Sequence, residues 1–342
     1  MNKYLILANP GHNRIYFDTA MRVSNMELLA ISEKAGFKIE EIGEGIEELP
    51  HSIMITTKEK LNNDQLKAIG TSSIYYAMFE MLEEGILRPI KCPDFHYFPE
   101  SMVQILKYNG KTNEQFTRLM VNLALSVCGT SSKKITLLDP MCGKGTTLYE
   151  GFMRGFDVRG VEINNKWVQE IQTYVTRFLK EGKYKHKAQK SNITAPKGKK
   201  LASGFTLTAA ADKNDFKKGD VQDFRVYSCD TTQSGSLLGK KSVDIIVSDL
   251  PYGVQHGSKN KEDENMDRSP LDLLRRALPE WHLLLKTKGS IVLSFNEFTM
   301  KYDDVAAVLE EKEFKVLDYE PFNGYLHRVD QSINRNVIVA TK

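Results

Sequence analysis

The sequence predicts an α/β chain in which a doubly wound, mainly parallel sheet of seven strands follows a small α+β module. Three observations point there. From residue 100 onward, short apolar runs alternate with helical periodicity. One of those runs breaks into the glycine turn Asp139-Pro-Met-Cys-Gly-Lys-Gly-Thr146, and another ends in Ser248-Asp-Leu-Pro-Tyr-Gly253. With 342 residues, the chain is long enough for two domains, and a division is expected between 1-93 and 94-342.

In the first module, residues 3–8 read as a strand and 24–34 as a helix, with Ser24 as its N-cap and Gly36 as its stop. Residues 52–57 alternate like a strand, 63–69 like a short helix and 73–81 like a further strand. In the second module, helices are expected at 114–126, 148–154, 165–179 and 303–312. The seven strands are expected at 134–138, 157–162, 223–229, 243–248, 290–294, 314–319 and 336–340.

An interruption at about 180–222 carries Lys180, Lys183, Lys185, Lys187, Lys190, Lys197, Lys199 and Lys200, with Glu181 as the lone acid of its first half. Such a block reads either as solvated surface or as an arm that tracks phosphates, because clustered lysines gain affinity by counterion release without reading sequence. Residues 204–208 are expected to add a short protruding strand.

Overall charge is +3, too mild by itself to announce nucleic acid. The four cysteines, Cys92, Cys128, Cys142 and Cys229, are scattered without a Cys-x-x-Cys pair, so neither a zinc site nor a disulfide framework is expected, and a reducing cytoplasm fits. No segment approaches a signal h-region or a membrane span, and no membrane association is expected.

A strand that ends at Asp139 and turns through Gly143 and Gly145 into a helix opens a ligand crevice beside the carboxyl ends of the strands. A P-loop would need a hydroxyl residue after Lys144 and a glycine at position 138, where the chain has Gly145 and Leu138. A dinucleotide fingerprint would need glycine at 148, which is Leu148, and Pro140 occupies the start of the tight turn.

What remains is S-adenosylmethionine, a cationic sulfonium with an amino-acid tail and a ribose diol, which carboxylates suit better than lysines. Asp139 would face the ammonium side, while Pro140, Met141, Gly143, Gly145 and Thr146 complete the loop. Glu162, followed by Ile163, would accept from the ribose hydroxyls, and Asp230, followed by Thr231, would lie near the adenine. A helix N-cap for Asp139 and solvated strand ends for Glu162 and Asp230 are the plainer alternatives.

The turn at Asp249, Leu250, Pro251 and Tyr252 should lie on the same rim, facing a transferable methyl. Methylating an exocyclic amine of a base requires its lone pair to be freed from ring conjugation. Acceptors on the two amine hydrogens achieve that. The Asp249 carboxylate and the carbonyl near Leu250-Pro251 are such acceptors, and Pro251 removes a competing donor. Tyr252 offers a face for a flipped or single-stranded base, a contact worth about 1–3 kcal/mol. The plainer alternative is an ordinary strand-ending turn. Cys142 and Cys229 raise the separate idea of a thiolate nucleophile, but neither follows the fourth strand, and both read as packing residues.

With those residues in hand, the chain resembles the Rossmann-like class I methyltransferases. More narrowly, it resembles the RNA guanosine-N2 methyltransferases associated with THUMP domains. Asp139-Pro-Met-Cys-Gly-Lys-Gly-Thr146 is similar to that group's Asp-Pro-x-Cys-Gly-x-Gly-Thr loop, and Asp249-Leu-Pro-Tyr-Gly253 to its Asp-x-Pro-Phe/Tyr-Gly signature. Phe98-Pro99-Glu-Ser-Met102 and Leu119-Met-Val-Asn-Leu-Ala124 are similar to the segment and helix that cover the methionine end of the cofactor.

The resemblance spans about 95–342 and implies methyl transfer to a guanine amine in RNA, usually tRNA, with a small activator protein among its partners in some relatives. Residues 1-93 depart from it, being too short for a full THUMP domain with its partner. They are more similar to a ferredoxin-like domain alone, which leaves RNA capture to Lys183, Lys185, Lys187 and Lys190, and to Arg328 and Arg335 near the end of the chain. A polar run at 254–265, containing His256, reads as a lid. A DNA adenine-N6 methyltransferase shares this motif order but usually carries Asn-Pro-Pro-Tyr. A catalytically inactive RNA-binding subunit would not need acids at three strand ends.

Overall fold

The computed structural model describes residues 1–9, 14–83, 85–104, 112–194, 200–252 and 269–342. The N-terminal unit consists of β1 (Asn2–Ala8), α1 (Arg14–Lys34), β2 (Glu41–Glu44), β3 (Ser52–Thr57), α2 (Asn63–Gly70), β4 (Tyr75–Glu83) and β5 (Ile86–Ile90). Its five strands form an antiparallel sheet in the order β2-β3-β1-β4-β5. On one face of that sheet, Ile6 stands opposite Ile53 and Met78, and all three are buried.

Local chemistry sets the ends of these helices. Asn62 and Gln65 form a reciprocal capping box on α2. Gly36, at φ +70°, closes α1, where the Phe37 amide reaches back to the Ser32 carbonyl. Ser24 is not an N-cap. It lies buried inside α1, which starts ten residues earlier than expected, and its hydroxyl donates to the Ala20 carbonyl.

The second unit begins with α3 (Glu114–Val127), β6 (Thr136–Asp139), α4 (Thr146–Met153), β7 (Asp157–Glu162) and α5 (Asn165–Glu181). It continues with β8 (Lys185–Thr194), β9 (Lys200–Ala210), α6 (Lys213–Lys218), β10 (Gln222–Ser228) and β11 (Val243–Asp249). The remainder is α7 (Pro270–Leu284), β12 (Leu285–Asn296), α8 (Tyr302–Glu311), β13 (Lys315–Val316), β14 (His327–Arg328) and β15 (Asn334–Thr341).

The sheet runs β13-β15-β12-β11-β6-β7-β10-β9-β8, with β14 paired to β15. Strands β10, β7, β6, β11 and β12 are mutually parallel, and β15 is antiparallel to β12. The chain moves outward in opposite directions from β6, so a crevice opens at the carboxyl ends of β6 and β11. Helices cover both faces, and the central strand residues Leu137, Leu138, Ile245 and Ile246 are fully buried.

Seven strands are counted in the sequence, and among the described residues the sheet has ten. The additions to those seven are β8 and β14, together with β9, which contains the short strand expected at 204–208. Strand β9 does not protrude. It pairs with β10 along seven residues, and Gly204 allows this because a side chain there would collide with the Val226 carbonyl. Among the described residues, strand β8 then forms the outer border of the sheet. The expected strand at 314–319 shrinks to the two residues of β13. Helix α7 falls outside the expected elements, although Leu274, Ala277, Leu278, Trp281 and Leu284 form its buried stripe.

The two units meet along α1 and α3. The buried Glu27 carboxylate accepts from Asn122 Nδ2 at 2.6 Å and from the Ser73 amide and hydroxyl at 2.9 and 2.6 Å. Asn122 Oδ1 in turn accepts from Arg154 Nη1 at 2.8 Å. Among the described residues, no helix is long and apolar enough to cross a membrane.

Candidate active site

The apolar run of β6 delivers Asp139 to the rim almost fully buried. Its Oδ1 accepts from Ser248 Oγ at 2.8 Å and from the Met141 amide at 3.1 Å. Burial is the main cause that pushes its carboxyl up to about 7, with the nearby Asp249 charge adding to it, against the hydrogen bonds that favour ionisation. A carboxyl whose pKa rises on folding stabilises the fold fully below its unfolded value and loses that contribution as pH climbs through the folded one. Relative to Asp139→Asn, the unfolding free energy should therefore decline from about pH 4 to about pH 7, by up to about 1.4 kcal/mol per pH unit. Chemical denaturation across that range checks it, and parallel curves for the two proteins would contradict it.

The loop after β6 is tied to the next strand. The Gly143 amide donates to Glu162 Oε2 at 2.9 Å, and the Asn164 amide to Oε1 at 2.7 Å. Burial raises the Glu162 carboxyl above its ordinary value, and these backbone donors offset only part of that rise. Gly143 has φ +53°, a conformation that favours glycine, and its Cβ direction opens into free space. Gly145, at φ +88°, caps α4 and would press a Cβ against Ile171 and Tyr149.

On the third strand end, the Cys229 amide donates to the Glu162 carbonyl at 3.1 Å. Asp230 accepts from the Thr232 amide and hydroxyl at 2.8 and 2.7 Å, capping the short turn that follows. Thr231 Oγ1 accepts from Trp281 Nε1 at 2.9 Å. Ile163 is 60% exposed beside this rim, so its apolar side chain is free to cover a flat ligand. Burial pushes both the Cys142 and Cys229 thiols up, the opposite of an activated thiolate.

Beyond β11, the turn is internally braced. Asp249 Oδ1 accepts from Tyr252 OH at 2.6 Å and from the Ser294 hydroxyl, and Oδ2 accepts from Thr112 Oγ1 at 2.6 Å. The Leu250 amide donates to the Ser294 carbonyl at 2.8 Å. Burial and the Asp249 charge push the Tyr252 phenol well above its ordinary value, so it stays protonated.

The structure therefore brings Asp139, Pro140, Met141, Gly143, Gly145, Thr146, Glu162, Ile163, Asp230, Thr231 and the turn Asp249-Leu250-Pro251-Tyr252 to one rim. Phe98 and Pro99 are not among them. The Phe98 amide bonds the Met153 carbonyl at the far end of α4, and the Phe98 ring is buried against Phe152. Arg335 is not a surface residue either. It is buried beneath the turn, and its Nε donates to Tyr252 OH at 2.8 Å.

Lys183, Lys185, Lys187, Lys190 and Arg328 are exposed. Lys185 pairs with Ala210 at the end of the sheet opposite the crevice, whereas Lys190 sits midway along β8. Gly253, His256, the rest of the expected lid, Lys197 and Lys199 lie outside the described residues.

Sequence reasoning misses Ser294 and Thr112. The hydroxyl of Ser294 inside the apolar run Ile291-Val-Leu-Ser-Phe295 is an available signal. Thr112, 137 residues from Asp249, offers none. Among the described residues, no group of His, Cys, Asp and Glu is arranged to hold a metal ion.

No curated protein matches the chain. Among solved structures, similarity extends to a TehB-like SAM-dependent methyltransferase from Corynebacterium glutamicum, at 16% identity over 62% of this chain and 82% of that one, with TM-score 0.36. It extends also to the rRNA methyltransferase aviRa from Streptomyces viridochromogenes, at 12% identity over 70% of this chain and 89% of that one, with TM-score 0.41. The assignment rests on a family model, UPF0020: RMKL-like, methyltransferase domain, which matches residues 105–306, more than half of the chain and both rim loops. The chain thus belongs to the UPF0020 family and is an S-adenosylmethionine-dependent methyltransferase.

Proposed function

We propose that the protein transfers a methyl group to the exocyclic amine of a guanine in RNA, with tRNA as the substrate class, forming N2-methylguanosine. The observation that carries this reading is the braced Asp249–Tyr252 turn standing beside the glycine loop. The residues fit the donor: Gly143 puts no side chain into the open space beside the loop, and Asp139, Glu162 and Asp230 line three successive strand ends. Asp139 would face its ammonium side, Glu162 its ribose, and Asp230, Thr231 and Ile163 its adenine. When bound, the donor supplies an electrophilic methyl on a sulfonium.

The chain's own residues do the rest by orientation. A carboxylate offers about four lone-pair sites. Tyr252, Ser294 and Thr112 take three hydrogen bonds to Asp249, leaving capacity for one amine hydrogen. The carbonyl at Leu250-Pro251 takes the other, and the Tyr252 ring supports the base. Methyl-labelled donor, incubated with total RNA and followed by digestion to nucleosides, tests this reading. Label in N2-methylguanosine is the expected result. Label in N6-methyladenosine would move the protein to the adenine class, and no label in any nucleoside would sink the reading.

RNA capture is assigned to residues 1-93 as a positioning domain, together with the exposed lysines of the β8 border and Arg328. Neutralising Lys183, Lys185, Lys187 and Lys190 together should weaken RNA binding and flatten its salt dependence, the slope falling by about 0.7–0.9 for each phosphate no longer neutralised. Lys190 should contribute most because it stands nearest the crevice. A salt slope unchanged in the fourfold variant would return these side chains to ordinary surface.

A further inference from the structure

We infer that Arg335 is the positioning residue of the base clamp, setting the orientation of Tyr252 and Asp249 without itself touching RNA or the methyl donor. That the clamp orients an acceptor amine rests on the function proposed above; the placement of Arg335 does not.

Three adjacent strands build the arrangement. Asp249 ends β11, Ser294 is its register partner on β12, and Arg335 opens β15, opposite Asn296. The guanidinium closes a ring with the first of these. Its Nε donates to Tyr252 OH at 2.8 Å, that hydroxyl donates to Asp249 Oδ1 at 2.6 Å, and Nη2 stands 3.7 Å from Asp249 Oδ2.

The cation is also supported by an aromatic ring. Its carbon centre lies 4.5 Å from the centroid of the Phe116 ring, and Phe116 meets His327 edge-on at 5.4 Å. Only 7% of the Arg335 side chain is exposed. A desolvated guanidinium on an aromatic face, opposite a carboxylate, is a planar, pre-organised support that an ammonium does not reproduce.

The consequence is a direction for the phenol. Tyr252 OH receives its hydrogen bond from Arg335 and must turn its own proton toward Asp249, which fixes both the ring and the carboxylate. Without Arg335, the ring loses the hydrogen bond that ties it to β15, and the acceptor geometry at Asp249 loosens. A misplacement of about 1 Å costs about 10²-fold in rate.

The test uses the full-length protein with Arg335→Met and Arg335→Lys. In label transfer to total RNA, kcat should fall by about 10²-fold in Arg335→Met, while the KM for the donor stays within about twofold, the mark of an interaction expressed in the transition state. Arg335→Lys should recover part of the loss. A wild-type kcat in Arg335→Met overturns the inference, as does a parallel loss of donor affinity and rate, which would mark a merely structural residue.

A second arm needs no substrate. With 3-fluorotyrosine at Tyr252, the fluorine resonance should be single and narrow in the wild type, broadened or split in Arg335→Met, and partly restored in Arg335→Lys. An identical narrow resonance in all three overturns the inference. A wild-type protein that labels no RNA sinks the substrate reading alone, and the fluorine spectra still decide the role of Arg335.

Discussion

Replacing Asp249 with alanine should lower methyl transfer by about 10³-fold, the scale on which a single oriented hydrogen-bonding partner acts in an enclosed site, while leaving donor affinity nearly unchanged. The residue is bonded to Tyr252, Ser294 and Thr112, and its carboxylate belongs to the clamp rather than to the loop that Glu162 secures. Alanine would also remove the carboxylate that stands 3.7 Å from the Nη2 of the buried Arg335 and so disturb the packing beneath the turn. Asp249→Asn is therefore the companion variant: it keeps the shape, retains one acceptor oxygen and removes the charge. Calorimetric titration with the donor's demethylated product, alongside label transfer, separates the two effects. A folded Asn variant that no longer binds the product would move Asp249 from the base side to the donor side.

A stability effect of similar weight is expected at Glu150, in the middle of α4. Its buried carboxylate accepts from Arg154 Nε at 2.7 Å and Arg118 Nε at 3.2 Å, and Arg118 reaches on to Glu100 at 2.8 Å. Burial alone would raise the Glu150 carboxyl, but the two guanidinium groups win and hold it below its ordinary 4.5. Burial likewise pulls Arg154 down, yet a guanidinium stays charged at neutral pH, so both cations persist if the acid is neutralised. Glu150→Gln should therefore cost about 3–5 kcal/mol.

The pH dependence of that loss follows from the direction of the shift. A carboxylate with a depressed folded pKa stabilises above its unfolded value, and the contribution vanishes as pH falls through the folded one. The gap between wild type and Glu150→Gln should be constant near neutrality and close only in acid, opposite in sense to the Asp139 dependence. Urea denaturation at a series of pH values reads both. A gap that widened on acidification would show that burial, not the arginines, governs Glu150.

The rim is legible because its signals are local. Runs ending at Asp139, Glu162, Cys229 and Ser248 mark strands that finish on one rim, and glycines at 143 and 145 announce a tight backbone turn. What escapes is what depends on tertiary partners. The lysines of β8 show no apolar alternation, because neither face of this strand is buried, so a ten-residue strand reads like a loop. Pro279 punctuates α7 and hides a regular apolar stripe. Arg335 reads like a phosphate contact because charge normally means surface. Its burial is set by Phe116 and Tyr252, which stand 219 and 83 residues away in the chain.

The β8 border carries one more implication, independent of any nucleic acid. The last strand of a sheet presents a row of unsatisfied amides and carbonyls that would welcome a further strand from another copy of the chain. Lys185, Lys187 and Lys190 stand along that fringe, all exposed, and two such fringes repel each other before their backbones can zip together. The same cations thus act as a guard against polymerisation, whatever else they hold.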